Sequence, residues 1–334
     1  MGDVAMLVPV VSSLARQYPQ VKITVLSRPF AAAFFENLAP NVSFIPADIK
    51  KEYHGISGLN RLFHQLVKEK FTAIADMHGV LRTHYLRLRF KLSGHRTACI
   101  DKHRKGKRQL AAKEHKVFKQ QPTSFENYAE VLQQLGYPVK LDFTSIYNDN
   151  HTAVELPAIG NKQNSEFWIG IAPFSAHEGK VYPMDKMKRV IELIQNKYEN
   201  CRIFLFGGGK KEKEQLDHWC TLYNKCTCVA RALGNLQQEI ALMSHLDVMV
   251  SMDSANMHMA SLVHTPVVSI WGATHPYAGF MGWNQQISNA VQVDLPCRPC
   301  SVFGNKPCLR GDFACMNTIQ PETILQKIDH VINK

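Results

Sequence analysis

The chain has 334 residues, enough for two domains of ordinary size, and its hydrophobic content of 45% is enough for two cores. No apolar run approaches the roughly 20 residues that a membrane-spanning helix needs, and the N-terminal residues lack the basic and apolar regions of a secretory signal. Nine cysteines, an odd number, are a poor disulfide framework. Together these features predict a cytosolic protein.

The formal charge of +11 is concentrated in one segment. The thirteen cations of this basic block are Arg82, Arg87, Arg89, Lys91, Arg96, Lys102, Arg104, Lys105, Lys107, Arg108, Lys113, Lys116 and Lys119. Only Asp101 and Glu114 oppose them, so thirteen minus two accounts for the whole net charge. The concentration predicts a docking surface for nucleic acid, an anionic membrane or a phosphorylated glycolipid, with a solvated face as the alternative.

Helical and strand patterns alternate along the first part of the chain. Apolar spacing predicts helices over 4–18, 29–38, 59–70, 80–92 and 124–135, and strands over 21–26, 42–45, 71–76 and 96–100. Such alternation is typical of a mostly parallel sheet with helices on both faces. The opening strand of a doubly wound sheet normally lies at its centre. Here Gly2 and Asp3 lead directly into a helix, so this strand is expected upstream or is missing.

A turn-rich stretch over 136–164 predicts the connection to a second alternation. Strands are predicted over 167–172, 202–206, 227–229, 248–252 and 266–270, and helices over 184–197, 211–223, 236–244, 255–263 and 321–332. We therefore predict Rossmann-like domains at 1–150 and 151–320, facing each other across a cleft. The last segment, 321–334, is predicted to be a helix that packs back on the N-terminal domain.

The stretch from Met249 to Ala260 is predicted to run from a buried strand straight into a helix. Asp253 and Ser254 supply the oxygen side chains that favour a helix start. The free amides and the positive dipole end of this helix would bind phosphate, and Asp253 could accept from a sugar hydroxyl. His258 would lie within reach of the same pocket. The alternative is an N-capped helix with a packed histidine.

Two further places at the predicted cleft carry polar side chains. The loop over 173–183 combines Ser175 with Lys180, whose ammonium suits a diphosphate; the alternative is a surface loop. Asp3, at the start of the first helix, is a candidate general base, or else an ordinary first-turn acid.

Several motifs of other protein classes are missing. Gly207, Gly208 and Gly209 follow a strand, but they lack the GxGxxG spacing of a dinucleotide site. The chain contains no Asp-x-Asp, GxSxG or HExxH motif. These absences argue against a redox cofactor, a metal clamp on a nucleotide sugar, a serine hydrolase and a zinc protease.

Four cysteines cluster near the C-terminus: Cys297, Cys300, Cys308 and Cys315. Only the first two have metal-ligand spacing. We predict no metal here, with free thiols or a disulfide favoured, and structural zinc is the alternative.

Five motifs, taken in order, resemble the lipopolysaccharide heptosyltransferases of glycosyltransferase family 9. Gly2-Asp3-Val4 with Pro9 resembles the family's N-terminal signature, and Ser175 with Lys180-Val181-Tyr182-Pro183 resembles its donor loop. The remaining three matches are Asp253 to His258, Ile270 to Pro276, and the cysteine-rich tail from Cys297 to Glu322. The chain departs from the family pattern in lacking the opening strand, and in having Tyr182 for the usual Trp and Ala255 for the commoner Gly.

The resemblance implies a GT-B fold and an inverting, metal-independent transfer of heptose from ADP-heptose to the inner core of lipopolysaccharide. It implies a monomer on the cytoplasmic face of the inner membrane that needs no cofactor and binds no nucleic acid. Asp3 would be the catalytic base, and the donor would contact Ser175, Lys180, Asp253, Ser254, Ala255, His258 and Gly272. The anionic acceptor would meet Arg82, Arg87, Lys105 and Arg108. Another nucleotide sugar, or a nucleic-acid-binding function of the basic block, remains the alternative.

Overall fold

The computed structural model describes residues 1–147 and 156–333. Residues 148–155, in the predicted inter-domain connection, lie outside the described residues. The first half contains α1 (Gly2–Gln17), β1 (Ile23–Ser27), α2 (Ala32–Phe35), β2 (Val42–Pro46), α3 (Gly55–Leu66), β3 (Ala73–Asp76), α4 (Leu81–Leu92), β4 (Arg96–Cys99), α5 (Arg104–Leu110) and α6 (Ser124–Gln134).

The second half has a similar alternation. It contains β5 (Phe167–Ala172), α7 (Met184–Lys197), β6 (Cys201–Leu205), α8 (Lys210–Leu222), β7 (Cys226–Cys228), α9 (Val229–Ala232), α10 (Leu236–Met243), β8 (Val248–Met252), α11 (Ala255–Leu262), β9 (Val267–Ile270), β10 (Ala290–Val291), α12 (Ala314–Asn317) and α13 (Pro321–Ile332). Among the described residues, no helix has the length and apolar character needed to span a bilayer.

The chain forms two compact units. The first comprises Asp3–Arg104 and Pro122–Ile146, and the second comprises Lys105–Gln121 and the described residues from Tyr147 onward. The unit boundary at 146/147 lies close to the predicted division at 150. The segment 105–121 differs from the prediction, because it belongs to the second unit although first-unit residues flank it in sequence.

The second unit contains a six-stranded parallel sheet in the order β10-β9-β8-β5-β6-β7. Counted from β5, this is the 3-2-1-4-5-6 order of a doubly wound dinucleotide-binding fold. From β5, the strands β6 and β7 follow on one side, and β8, β9 and β10 follow on the other, so the strand order reverses between β5 and β8. In such sheets, ligands bind at this switch point, outside the carboxyl ends of the strands.

The core of the second unit follows from its apolar strands. Every residue of β8 and β9 is buried, as expected for parallel strands covered on both faces. The helix α13 buries Ile324 and Ile328 in this core and packs on α7. The packing of the C-terminal helix on the N-terminal domain stays a prediction.

The first unit contains two separate parallel pairs, β1 with β2 and β3 with β4. In a doubly wound sheet, the first strand would lie between these two pairs, and among the described residues no strand joins them. The helix α1 is extensively buried. Its C-terminal end is held where Asn41 Nδ2 donates to the carbonyl oxygens of Ala15, Tyr18 and Val21.

Candidate functional site

Three neighbouring strands of the second unit deliver their loops to one edge of the sheet. The register pairs Ala172 at the end of β5 with Ser251 of β8, and Met252 of β8 with Ile270 at the end of β9. Because the strands are parallel, the segments that follow them start side by side at the switch point. The predicted donor residues lie on these segments.

Asp253, directly after β8, is the centre of a polar cluster. Its Oδ2 lies 3.3 Å from the Lys180 ammonium and accepts a 2.8 Å hydrogen bond from the Thr274 hydroxyl. The Lys180 and Asp253 side chains are only 14% and 7% exposed. Ser175 donates from Oγ to the backbone oxygen of Asp253 at 3.4 Å. The structure thus brings together three of the predicted donor residues, and the carboxylate fixes the lysine.

The helix α11 begins beside this cluster. Ser254 is its N-cap residue, but the Ser254 side chain makes no capping bond and instead lies 3.2 Å from Ser251 Oγ. The first-turn amides, which start at Ala255, are therefore not capped by Ser254, and such amides with the helix dipole favour an anion. His258, one turn further on, is buried.

Close packing of glycines fixes the backbone around Lys180. A Cβ on Gly272 would lie 2.6 Å from the carbonyl oxygen of Gly179, and that oxygen accepts a 2.8 Å bond from the Ala273 amide. A Cβ on Gly304 would lie 2.5 Å from Lys180 Cγ. Gly272, predicted as a donor contact, here permits a close approach of two loops, and Gly304 gives room to the lysine stem.

Arg298 ties the cysteine-bearing loop to the end of β9. Its guanidinium is buried and donates to the carbonyl oxygens of Gly272 (2.5 Å), Thr274 (3.0 Å) and Val293. Burial lowers the pKa of this guanidinium from its ordinary value. The loop backbone is held in turn by Lys116, whose ammonium donates to the carbonyl oxygens of Arg298 at 2.7 Å and Pro299 at 3.0 Å.

The four clustered cysteines line one small cavity together with Arg298. All four are free thiols. Burial raises the pKa of Cys300, and raises that of Cys315 to about 11, which keeps both protonated at neutral pH. Within the described ranges, no three of these sulfur atoms lie within 4.8 Å of one another. The cavity brings the thiols near each other without the spacing of a tetrahedral metal set.

The first unit carries Asp3 on the first turn of α1. The Tyr128 hydroxyl donates to the Asp3 backbone oxygen at 3.3 Å. Burial lowers the pKa of His78, while the negative charge of Asp3 opposes this shift. Burial, and then the Asp3 charge, raise the pKa of Tyr128. Burial therefore disfavours the charged forms of both groups that interact with the Asp3 charge.

Asp76, at the carboxyl end of β3, organises the turn that contains His78. Its Oδ1 accepts from the amides of His78 at 3.1 Å and Gly79 at 2.8 Å. Asp76, His84 and Cys99 have ligand atoms within 4.8 Å of one another. The guanidinium of Arg87 occupies this place, with Nε 3.6 Å from Asp76 and Nη2 3.0 Å from His84 Nδ1. A positive charge already satisfies the carboxylate, so the cluster is an ion-pair network and not a cation site.

The basic block is not one uniform surface. Arg82, Lys105 and Arg108 are exposed, as acceptor contacts require. Arg87 is ion-paired, Lys107 is buried with its ammonium 4.2 Å from the ring centre of Phe280, and Lys116 caps backbone carbonyls. These three side chains already have partners within the protein, and the docking surface stays a prediction for the exposed cations. The predicted acceptor residues are also split, with Arg82 and Arg87 in the first unit and Lys105 and Arg108 in the second.

Sequence reasoning quoted Thr274 only as part of the motif over 270–276, and it did not single out Gly304, Asp76 or His78. Asp76 is the last residue of a predicted parallel strand, and Asp253 directly follows another. Because ligands bind outside the carboxyl ends of such strands, this position could have identified Asp76 from the sequence. Gly304 gave no such signal, because its contact with Lys180 joins two distant loops.

Comparison with known proteins shows to which family this chain belongs. The family model for glycosyltransferase family 9 (heptosyltransferase) matches residues 59–307. The chain belongs to glycosyltransferase family 9. It is 28% identical over 132 residues to lipooligosaccharide heptosyltransferase 2 of Campylobacter jejuni, a match that covers 38% of this chain and 40% of that protein.

Other heptosyltransferases match over more of the chain. Lipopolysaccharide core heptosyltransferase OpsX of Haemophilus influenzae is 23% identical over 278 residues, which covers 82% of this chain and 77% of that protein. The solved structure of the Escherichia coli heptosyltransferase WaaC with ADP superposes with a TM-score of 0.68 at 16% identity, covering 99% of this chain and 97% of that one. The GT-B fold expected of a family 9 member is thereby confirmed.

Proposed function

We propose that this family 9 protein transfers heptose from ADP-heptose to the inner core of lipopolysaccharide, with inversion at the anomeric carbon and without a metal ion. The observation that carries the proposal is the Lys180 ammonium, fixed 3.3 Å from Asp253 beside the start of α11. A fixed cation and a set of helix amides at the switch point suit a diphosphate. The E. coli relative was solved with ADP.

The leaving group explains why these residues would matter. Breaking the bond from the sugar to the diphosphate passes through an oxocarbenium-like state, as glycoside hydrolysis does. ADP gains negative charge as it departs, and Lys180 with the amides from Ala255 onward would stabilise that charge. In this mechanism Asp253 holds Lys180 in place, and Ser175, His258 and the Gly272 turn complete the donor site. Such a site performs the electrostatic work for which other transferases use a divalent metal.

Asp3 would act as the general base. Its carboxylate would take the proton of the acceptor hydroxyl while the hydroxyl oxygen attacks the anomeric carbon from the face opposite ADP. The environment supports this role, because burial lowers the pKa of His78 and so disfavours an imidazolium that would pair with the Asp3 carboxylate. The exposed cations Arg82, Lys105 and Arg108 would meet the phosphorylated acceptor. We propose that the enzyme works as a monomer on the cytoplasmic face of the inner membrane.

The test separates binding from chemistry. Asp3→Asn keeps the size of the side chain but removes the base, so transfer should fall by about the 10²–10⁴-fold typical of a lost general base. ADP affinity, measured by calorimetry, should change little. Asp142→Asn, an exposed aspartate of the same unit, is the matched control. Full turnover by Asp3→Asn would remove Asp3 from the mechanism.

The donor nucleotide needs its own measurement. Thermal-shift comparison of ADP, UDP, GDP and CMP at one concentration should give the largest stabilisation with ADP, because the stabilisation by a ligand grows with the ratio of its concentration to its dissociation constant. A larger shift with another nucleotide would keep the GT-B transferase and replace the donor.

A further inference from the structure

Three leucines form an exposed stripe along α4. Leu81, Leu88 and Leu92 are 88%, 55% and 77% exposed. Their spacings of seven and four residues place them on one face of the helix. Isolated exposed leucines need no explanation, but three aligned along one helix form an apolar patch, and such patches mark interaction sites.

The stripe is separate from the face that holds α4 in the first unit. The inward face carries Phe90, which is buried, and Leu86, which is partly buried, and both pack in the core that includes Phe63. Arg89 also points inward, with its guanidinium 4.4 Å from the Phe63 ring centre. The folding of the helix is therefore accounted for without the leucines of the stripe.

Cations flank the stripe. Arg82 and Lys91 are exposed on opposite sides of it, since they lie about 100° and 280° around the helix from Leu81 at 100° per residue. No acidic residue occurs between Leu81 and Leu92. An exposed apolar face bordered by cations is typical of helices that lie in the interface of an anionic membrane.

We propose that α4 docks this protein on an anionic phospholipid bilayer, with Leu81, Leu88 and Leu92 inserted among the acyl chains and Arg82 and Lys91 at the phosphate level. The positive charge of α4 indicates which partner covers this face. A second copy would place two cationic helices against each other, whereas phospholipid phosphates neutralise both flanks. At twelve residues α4 is about 18 Å long, too short to cross a bilayer and suited to lying on one.

The proposed function places the enzyme at the inner membrane, and the biological role of this docking face rests on that proposal. Membrane docking and sugar transfer are tested separately. Sedimentation with vesicles of phosphatidylglycerol and phosphatidylethanolamine measures docking, and transfer to a delipidated, water-soluble core acceptor measures chemistry. The double variant Leu88→Gln/Leu92→Gln changes only exposed side chains, so it should fold normally. Its partition coefficient on the anionic vesicles should fall roughly tenfold or more. Its transfer to the soluble acceptor should stay unchanged.

The matched control is Leu222→Gln, at an exposed leucine of α8 that is 53% exposed, almost the same as Leu88. It should bind vesicles as the unaltered protein does. A charge variant, Arg82→Gln/Lys91→Gln, should weaken binding to anionic vesicles and leave the weak binding to phosphatidylcholine vesicles unchanged, and added salt should reduce the difference.

Three results would overturn the docking proposal. The first is equal vesicle binding by Leu88→Gln/Leu92→Gln and the unaltered protein. The second is no vesicle binding by the unaltered protein while it still transfers sugar to the soluble acceptor, which would leave the proposed function standing. The third is an oligomer in solution that the double leucine variant dissociates, which would make the stripe a contact between copies.

Discussion

Lys180 and Asp253 form a buried ion pair whose lysine, in our proposal, also binds the diphosphate. Breaking one partner of such a pair leaves an unpaired buried charge and destabilises the fold. A single substitution would therefore confuse loss of stability with loss of binding. The informative variant replaces both partners.

For Lys180→Met/Asp253→Asn, we expect a folded protein with ADP affinity reduced about 10- to 150-fold, the equivalent of the 1.5–3 kcal/mol typical of a hydrogen bond to a charged group. The amide oxygen of the new asparagine would still accept from Thr274, which preserves the local turn. Circular dichroism melting checks the fold, and calorimetry measures ADP binding. Unchanged ADP affinity in the folded double variant would rule out the diphosphate role of Lys180.

His275 makes stability depend on pH. Burial lowers its pKa from 6.5 to about 4, and the positive charge of Arg298 adds to the shift. Between these two values the unfolded chain binds a proton that the folded chain does not, so the free energy of unfolding falls as the pH falls from 6.5 to 4. The full shift corresponds to about 3 kcal/mol.

The variant His275→Asn tests this linkage. Asparagine can still accept from the Tyr277 amide, as His275 Nδ1 does at 3.0 Å, but it does not titrate. Urea unfolding of this variant should lose most of the decline between pH 6.5 and 4. His218→Asn, at an exposed histidine, should keep the decline. Equal pH profiles for all three proteins would assign the effect to other groups.

At the level of the elements, Lys116 provides one of the contacts that hold the segment 105–121 in the second unit. The ammonium donates to three backbone carbonyl oxygens, those of Pro296, Arg298 and Pro299. Burial lowers the pKa of this lysine. A partly buried ammonium with three acceptors is an attachment that an apolar side chain cannot replace.

For Lys116→Met, we expect local destabilisation of about 1–3 kcal/mol, because three carbonyl groups lose a charged donor. Hydrogen exchange over 105–121 should accelerate by one to two orders of magnitude, since each 1.4 kcal/mol is about tenfold. Lys119→Met, at an exposed lysine three residues away, should leave exchange unchanged. Equal protection in both variants would show that other contacts hold the segment.

The elements with strong apolar patterns were predictable from the sequence. β5 and α7 occur with the predicted bounds, because a continuous apolar strand and a regular amphipathic helix leave little choice. α5 was missed, since Arg-Lys-Gly-Lys-Arg-Gln-Leu has no apolar period and its helix depends on tertiary burial of Lys107 and Leu110. The helix predicted over 29–38 ends early, where Asn37 adopts a left-handed backbone with φ of 67°.

The candidate site was predictable only in part. Asp253 and Lys180 follow strands of a parallel sheet, and a general rule places such residues at one edge. Their direct pairing, the bond from Thr274 and the room provided by Gly304 depend on how separate loops pack. Local residue patterns carry no information about such long-range packing.

At the level of the whole molecule, the two units differ in the completeness of their sheets. The second contains one six-stranded parallel sheet, whereas the first contains two parallel pairs. We therefore expect a ligand that binds the second unit to stabilise that unit more than the first. In our proposal ADP is such a ligand.

With ADP at about 100 times its dissociation constant, we expect about 2.7 kcal/mol of stabilisation. Hydrogen exchange should slow at 173–183, 251–258 and 272–276 of the second unit, while α1 and the β3–β4 pair of the first unit should change little. Mass spectrometry of peptic peptides measures both regions in one experiment, and UDP at the same concentration is the control. Protection confined to the first unit would contradict the donor site.

The absence of a side chain at Gly304 has a consequence for evolution and engineering of this protein. The methylene groups of Lys180 rest in the space that a methyl group at position 304 would fill. In our proposal, ligand affinity would thus respond to a substitution in a remote loop, through the added volume beside Lys180 and the strain of a side chain at the positive φ of Gly304. A bulkier residue there would tilt the ammonium away from its carboxylate, and activity would decline while every residue of the donor motifs stayed intact.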